Sequence, residues 1–352
     1  MTATATGCSR RSPRFPATKA ASAVAMGDVD DDGVYDLLVG AGKDHAPEVV
    51  VYSGKARNGR NAFATEVARF RPFAAEARGG VSVASAQIDG TSADNIIVGS
   101  GPGIASEVRV YSSKLPSSPG TAPALFATFS PYAGDRSGVS LATGFVDFAT
   151  GRHSIVTAPG PGVPAEVKVF AFSLFKPVNN RGGHAAGHTG VHAAEPSQPA
   201  NTVSFKPFGD AYRGGVSLAT GWLAGSLGGA KRIVVSQLAG PGTVKVFSSG
   251  SALDEGPALY LHSPNEHGHA PAFREIASFN PFDGTSGTRV ATTSTTTGAD
   301  LLVSGMAAQG RSASVVRYEL ARPSAQATTL QARRLGEVFS AAGSQPVMLG
   351  GD

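Results

Sequence analysis

The chain repeats a four-residue word in which phenylalanine and proline hold fixed places: Phe70-Arg71-Pro72-Phe73, Phe129-Ser130-Pro131-Tyr132, Phe205-Lys206-Pro207-Phe208 and Phe279-Asn280-Pro281-Phe282. A second word follows each of the first three, at Gly79-Gly80-Val81-Ser82-Val83-Ala84, Ser137-Gly138-Val139-Ser140-Leu141-Ala142 and Gly214-Gly215-Val216-Ser217-Leu218-Ala219. Two more complete the unit. One is Ile96-Ile97-Val98-Gly99 with Gly101-Pro102-Gly103; the other is Glu107-Val108-Arg109-Val110-Tyr111, echoed at Glu48–Tyr52 and Glu166–Phe170. Words kept in the same order, with the first word recurring after 59, 76 and 74 residues, mean one supersecondary unit written several times, and such units bury their apolar faces by stacking on one another.

Each unit holds four short apolar or alternating segments separated by Gly, Pro, Asp and Asn, the pattern of four strands joined by turns. In the first unit strand A lies near 22–26, B at 36–40, C at 48–53 and D at 65–71. Composition excludes the helical alternatives: 45 glycines and 23 prolines are about a fifth of 352 residues, leaving little room for helices of ordinary length. Four-stranded units at roughly 45 to 60 residues match the blades of a propeller. The expected fold is all-β, a β-propeller of about five four-stranded blades with a surplus C-terminal strand. The blades fall near 15–73, 74–132, 133–208, 209–282 and 283–342, with A strands near 22, 81, 139, 216 and 288. Residues 1–14 are expected to be disordered or extended, and 343–352 to supply an extra or ring-closing strand around Val347-Met348-Leu349-Gly350. Whether five blades close the ring alone or borrow strands from another chain stays open.

With 41% hydrophobic residues the chain buries a real core. Its 30 basic and 26 acidic residues are scattered, which is no footprint for nucleic acid. No apolar run reaches the ~18 residues of a membrane span, and Met1–Arg11 lacks the apolar core of a secretory signal. The single cysteine, Cys8, excludes internal disulfides.

Between strands A and B of the first unit stands Asp28-Val29-Asp30-Asp31-Asp32-Gly33-Val34-Tyr35-Asp36. Carboxylates at alternate positions, Asp28, Asp30 and Asp32, a turn glycine, the backbone carbonyl of Val34 and a further carboxylate at Asp36 suit Ca²⁺, a hard cation that takes oxygen ligands at ~2.3–2.6 Å. A helix-loop-helix hand would carry Glu where Val39 stands, so the loop joins two strands. From Gly27 through Asp36 and on to Leu37-Leu38-Val39-Gly40-Ala41-Gly42 the sequence resembles the FG-GAP or VCBS repeat of the integrin α-subunit propeller and of bacterial surface proteins. The resemblance covers about residues 15–340, but only the first unit keeps the full loop. In the second, Gln87, Asp89, Thr91 and Asn95 stand in its place; in the third only Asp147 remains.

Strand alternation puts A–B and C–D loops on one face and B–C and D–A loops on the other. On the second face Arg78, Arg136 and Arg213 precede successive A strands and form a basic ring able to bind an acidic glycan or a partner's carboxylates. The plainer account is pairing from blade to blade with Glu48, Glu107 and Glu166. The insertions 178–201 and 249–271 carry His184, His188, His192, His262, His267 and His269 and are expected to be flexible surface loops for partner contacts. Ser82, Ser140 and Ser217 recur as packing residues do, and no nucleophile elbow is written.

These features lead to an expectation of a non-enzymatic, calcium-stabilised propeller, located on the cell surface or in the extracellular or periplasmic space, that binds or adheres to a protein partner or surface glycan. A loop of this kind fills at calcium levels found outside cells and hardly within them. The alternatives are an accessory subunit of a larger extracellular or membrane-attached assembly and a propeller-based polysaccharide lyase or hydrolase.

Overall fold

A computed structural model describes residues 23–56, 61–116, 120–147, 152–172, 199–223, 230–249, 273–282, 287–295, 298–305, 313–324, 327 and 329–341. Twenty strands form five four-stranded antiparallel sheets, and no α-helix occurs among the described residues. Blade one is β1 (Ala23–Gly27), β2 (Asp36–Gly40), β3 (Val49–Tyr52) and β4 (Glu66–Phe70); blade two is β5 (Val81–Ala86), β6 (Asn95–Ser100), β7 (Val108–Tyr111) and β8 (Leu125–Phe129). Blade three is β9 (Val139–Asp147), β10 (Arg152–Pro159), β11 (Val167–Ala171) and β12 (Ala200–Phe205); blade four is β13 (Val216–Gly221), β14 (Arg232–Gln237), β15 (Val244–Ser249) and β16 (Phe273–Phe279). Blade five is β17 (Thr288–Thr295), β18 (Gly298–Gly305), β19 (Ala313–Ala321) and β20 (Gln331–Ala341). The first strand of each blade is innermost: β1 contacts β5, β5 contacts β9, β9 contacts β13 and β13 contacts β17. Residues of all five line one axial cavity. Every blade carries a bulge where its third strand pairs with its fourth, so the repeat extends to backbone irregularities. The expected tail strand at 343–352, the N-terminal segment 1–14 and the six insertion histidines lie outside the described residues.

The recurring words do their work between blades. The first Phe of each Phe-x-Pro word packs on an aromatic of the third strand of the next blade: Phe70 on Tyr111 and Phe129 on Phe170 at 4.8 Å between centroids, Phe205 on Phe247 at 4.7 Å and Phe279 on Tyr318 at 5.1 Å. In the first two words the proline carbonyl and second ring receive a cation from that strand. Lys168 donates to the Pro131 carbonyl at 3.0 Å and lies 4.9 Å above the Tyr132 ring; Arg109 donates to the Pro72 carbonyl and stacks 4.8 Å from Phe73. Four core clusters result, joining blades one to two, two to three, three to four and four to five. No cluster of that kind bridges blades five and one among the described residues. Leu37 and Val39 of blade one are only half-buried, while their counterparts Ile96 and Val98 are fully buried.

Candidate metal site and basic face

The A–B loop of blade one begins where β1 leaves its ladder partner: Gly27 pairs with Asp36, so both ends of the loop are fixed by the hairpin. Asp28 caps the turn, one carboxylate oxygen accepting from the Asp32 N–H at 3.1 Å and the other from Gly33 at 2.9 Å. Asp31 and Gly33 take left-handed backbone there, with φ of 61° and 80°. Asp36 is fully buried and accepts from the Val29 N–H at 3.2 Å and the Gly54 N–H at 2.9 Å. Asp28, Asp30 and Asp36 each bring a carboxylate oxygen to one point, all within 4.8 Å of one another. Burial, with smaller contributions from the charges of Asp30 and Asp32, pushes the Asp36 carboxyl up to about 6. A bound cation removes that strain, and an all-oxygen donor set built on a buried carboxylate fits a hard divalent ion.

Of the five residues that the sequence marks for the metal, three converge. Asp32 lies outside the cluster, with one oxygen accepting from the Val34 N–H at 3.0 Å and the other 3.8 Å from the Lys55 ammonium. Val34 is exposed at the loop's outer edge. One contributor escaped the sequence: Asp94 of blade two accepts the Asp28 N–H at 3.1 Å, and burial raises its carboxyl pKa. Ser92 adds a bond to Asp31 at 2.8 Å, so two adjacent loops hold each other.

Blade two shows the same loop satisfied without a cation. Asn95, at the position of Asp36, accepts from the N–H groups of Ile88 and Asp89 and donates its amide to Asp89 Oδ2 at 2.8 Å and to the Tyr111 carbonyl at 3.0 Å. Thr91 donates to the other Asp89 oxygen at 2.6 Å. Where blade one sets carboxylate against carboxylate, blade two sets amide against carboxylate.

On the opposite face Arg78, Arg136 and Arg213 are exposed. Their backbone carbonyls accept clasp bonds from Asp44, Gly103 and Gly162 of the preceding blade. The blade-to-blade pairing with Glu48, Glu107 and Glu166 does not form. Those acids pair locally, Glu48 with Arg69 at 2.6 Å, Glu107 with Arg109 at 2.6 Å and Glu166 with Lys168 at 3.5 Å. Glu107 and Glu166 thereby hold in place Arg109 and Lys168, the cations that reach across to the Phe-x-Pro words. Among the described residues the Arg78 and Arg213 side chains bond only backbone carbonyls, at 3.2 to 3.5 Å, and both residues are exposed.

No protein-family model and no curated protein matches the chain. Among solved structures it is similar to the exotype rhamnogalacturonan lyase YesX, with 13% identity and a TM-score of 0.40 over 92% of this chain and 65% of that one. It is also similar to a Bacillus licheniformis rhamnogalacturonan lyase PL11, with 16% identity and a TM-score of 0.37 over 81% and 55%. A third likeness is to Chaetomium thermophilum Polycomb Repressive Complex 2 bound to GSK126, with 11% identity and a TM-score of 0.39 over 85% and 69%. The chain thus spans less than two thirds of either lyase's length, and likenesses this distant carry no argument about activity, substrate or partner. No helix among the described residues is long and apolar enough to cross a membrane.

Proposed function

We propose that this chain is a non-enzymatic β-propeller of the FG-GAP or VCBS kind, stabilised by Ca²⁺ in blade one and working outside the cytoplasm as a protein- or glycan-binding module. The observation that carries the calcium reading is the convergence of Asp28, Asp30 and Asp36 at the place where blade two inserts the Asn95 amide. Asp28, Asp30 and Asp36 hold the ion, with Asp32 and the Val34 carbonyl close enough in sequence to join when it arrives. The ion's work is structural: it neutralises carboxylates that the hairpin forces together. A weak loop of this type fills at extracellular calcium levels, which supports a place outside the cytoplasm.

The binding face is the one bearing Arg78, Arg136 and Arg213, whose exposed guanidinium groups suit an acidic glycan or the carboxylates of a protein partner. A non-enzymatic role is supported by the recurrent hydroxyls of Ser82 and Ser140, both spent on bonds to the next blade. A second reading, a subunit of a larger assembly, is favoured by Leu335 and Val338 on β20, the latter 60% exposed.

Titration calorimetry of chelator-stripped protein with calcium chloride tests the metal: one binding event per chain is expected, and no heat overturns it. A glycan array probed with the wild type and with a triple Arg78→Gln, Arg136→Gln, Arg213→Gln variant tests the face. Loss of acidic ligands in the variant supports it; turnover of an acidic polysaccharide overturns the non-enzymatic reading.

A further inference from the structure

The second repeated word reads Gly-Gly-Val-Ser or Ser-Gly-Val-Ser in blades two to four, but Ser286-Gly287-Thr288-Arg289 in blade five. Strand register confirms the equivalence: Ser82 faces Gly99, Ser140 faces Ala158, Ser217 faces Ser236 and Arg289 faces Ser304, each one step inside the inner strand. The inner strands of all five blades surround an axial cavity of about 130 Å³. Its wall is alanine, valine, leucine, serine and threonine, and Arg289 is the one charged side chain lining it among the described residues.

Among the described residues no acidic side chain pairs with that guanidinium. Its Nε is buried without a hydrogen-bond partner, and no acidic side chain lines the cavity among the described residues. A guanidinium does not shed its proton at ordinary pH, so the charge stays in a wall whose other side chains are neutral. Burial opposes it there, lowering its pKa. A second donor lines the same cavity. Ser82 and Ser140 give their protons to the Val139 and Val216 carbonyls at 2.6 and 3.1 Å, but Ser217 accepts from the Val290 N–H at 3.3 Å, which leaves its own hydroxyl proton to give.

We infer that the axial cavity is a binding site for one carboxylate group, held by the Arg289 guanidinium and the Ser217 hydroxyl. The planar fork of arginine matches the two oxygens of a carboxylate. One positive charge among neutral neighbours suits a single negative charge better than a phosphate dianion. The volume exceeds that of one water and lies below the ~300 Å³ of ordinary small-molecule pockets, which leaves room for a carboxylate group. The group comes either from a small free acid or from a uronic acid unit entering the channel. Arg289 lies at the start of its inner strand and the metal loop follows the end of β1, so this site does not depend on calcium.

The experiment is calorimetric titration of the full chain with sodium acetate, with a galacturonic acid trisaccharide, and with acetamide and sodium phosphate as comparators. Saturable binding of acetate or the trisaccharide at one per chain is expected, with acetamide silent and phosphate at least tenfold weaker. Acetate binding identifies a free acid as sufficient; binding of the trisaccharide alone identifies the uronic acid source. Arg289→Ser restores the residue of three other blades, so it should fold, melt no lower than the wild type and lose at least tenfold in affinity. Arg289→Lys keeps the charge without the fork and should fall between. Unchanged binding by Arg289→Ser overturns the inference. So does phosphate binding as well as acetate, or a wild type that binds neither acid.

Discussion

The Thr143 hydroxyl in blade three donates to the Ser85 carbonyl in blade two at 2.6 Å, and this bond is one link of a chain around the axis. Ser85 donates to the Met26 carbonyl of blade one at 2.5 Å, and Thr292 of blade five donates to the Thr220 carbonyl of blade four at 2.6 Å. Thr220 donates in turn to the Thr143 carbonyl. Four inner strands therefore carry a hydroxyl that reaches back one blade, while blade one carries Met26, which has none to give. Four blade junctions are stitched along the axis, and the seam between blades five and one lacks this link.

Replacing Thr143 with Val keeps shape and strand propensity but removes the donor. A net hydrogen bond contributes about 1 kcal/mol, so Thr143→Val should lower stability by about 1 to 2 kcal/mol and the melting temperature by a few degrees. Urea unfolding should show a lower midpoint at constant slope. An unchanged midpoint would mean that the stitches are incidental to stability.

The Gly-Pro-Gly words clasp the next blade. Gly103 donates to the Arg136 carbonyl at 2.9 Å and Gly162 to the Arg213 carbonyl at 2.8 Å. Gly138 faces this clasp at φ 93°, and a Cβ there would lie 2.9 Å from the Pro102 nitrogen. Gly138→Ala meets both a forbidden backbone region and a collision with neighbouring backbone, so a loss of at least ~2 kcal/mol is expected. Gly134→Ala also has positive φ, 78°, but open space around it, and should cost less. Equal losses in the two variants would show that the clasp adds nothing to the backbone strain.

Much of this was legible from spacing. The segments read at 22–26, 36–40, 48–53 and 65–71 are β1 to β4 almost residue for residue, because Gly, Pro and Asp mark strand ends by what their backbones permit. The later inner strands start at Val81, Val139, Val216 and Thr288, as the second word requires. The partners of charges were not legible. Glu48, Glu107 and Glu166 look like partners for Arg78, Arg136 and Arg213, but a sequence does not show that Arg69, Arg109 and Lys168 are nearer on the same sheet face. Asp32 keeps its place in the metal pattern yet leans toward Lys55, a residue on another loop. Arg289 was not singled out from the sequence, because its place in the repeat becomes plain only from the strand register and the cavity it lines.

Calcium should raise the melting temperature of the wild type, and the effect should divide among the loop carboxylates by geometry. Asp30→Asn and Asp36→Asn each remove a converging oxygen charge and should abolish the rise; Asp32→Asn, outside the cluster, should reduce it only in part. Paired melts with calcium and with chelator check this. A wild type indifferent to chelator, or an Asp30→Asn protein that still responds fully, would count against the site.

His153 is expected to weaken the fold on the acid side. It sits at the bulge where β9 and β10 shift register, its Nδ1 buried without a partner, and burial together with the nearby Lys231 charge holds its pKa below the usual histidine value. Between that lowered value and the ~6.5 of an unfolded chain, the unfolded state holds a proton that the folded state refuses. Stability is therefore fully present above pH ~6.5 and declines as the pH falls through it. His153→Gln cannot take up the proton, so its melting temperature should fall less than the wild type's between pH 7.5 and 5.5 when both are measured in calcium. Parallel curves for the two proteins would show that another group sets the acid limit.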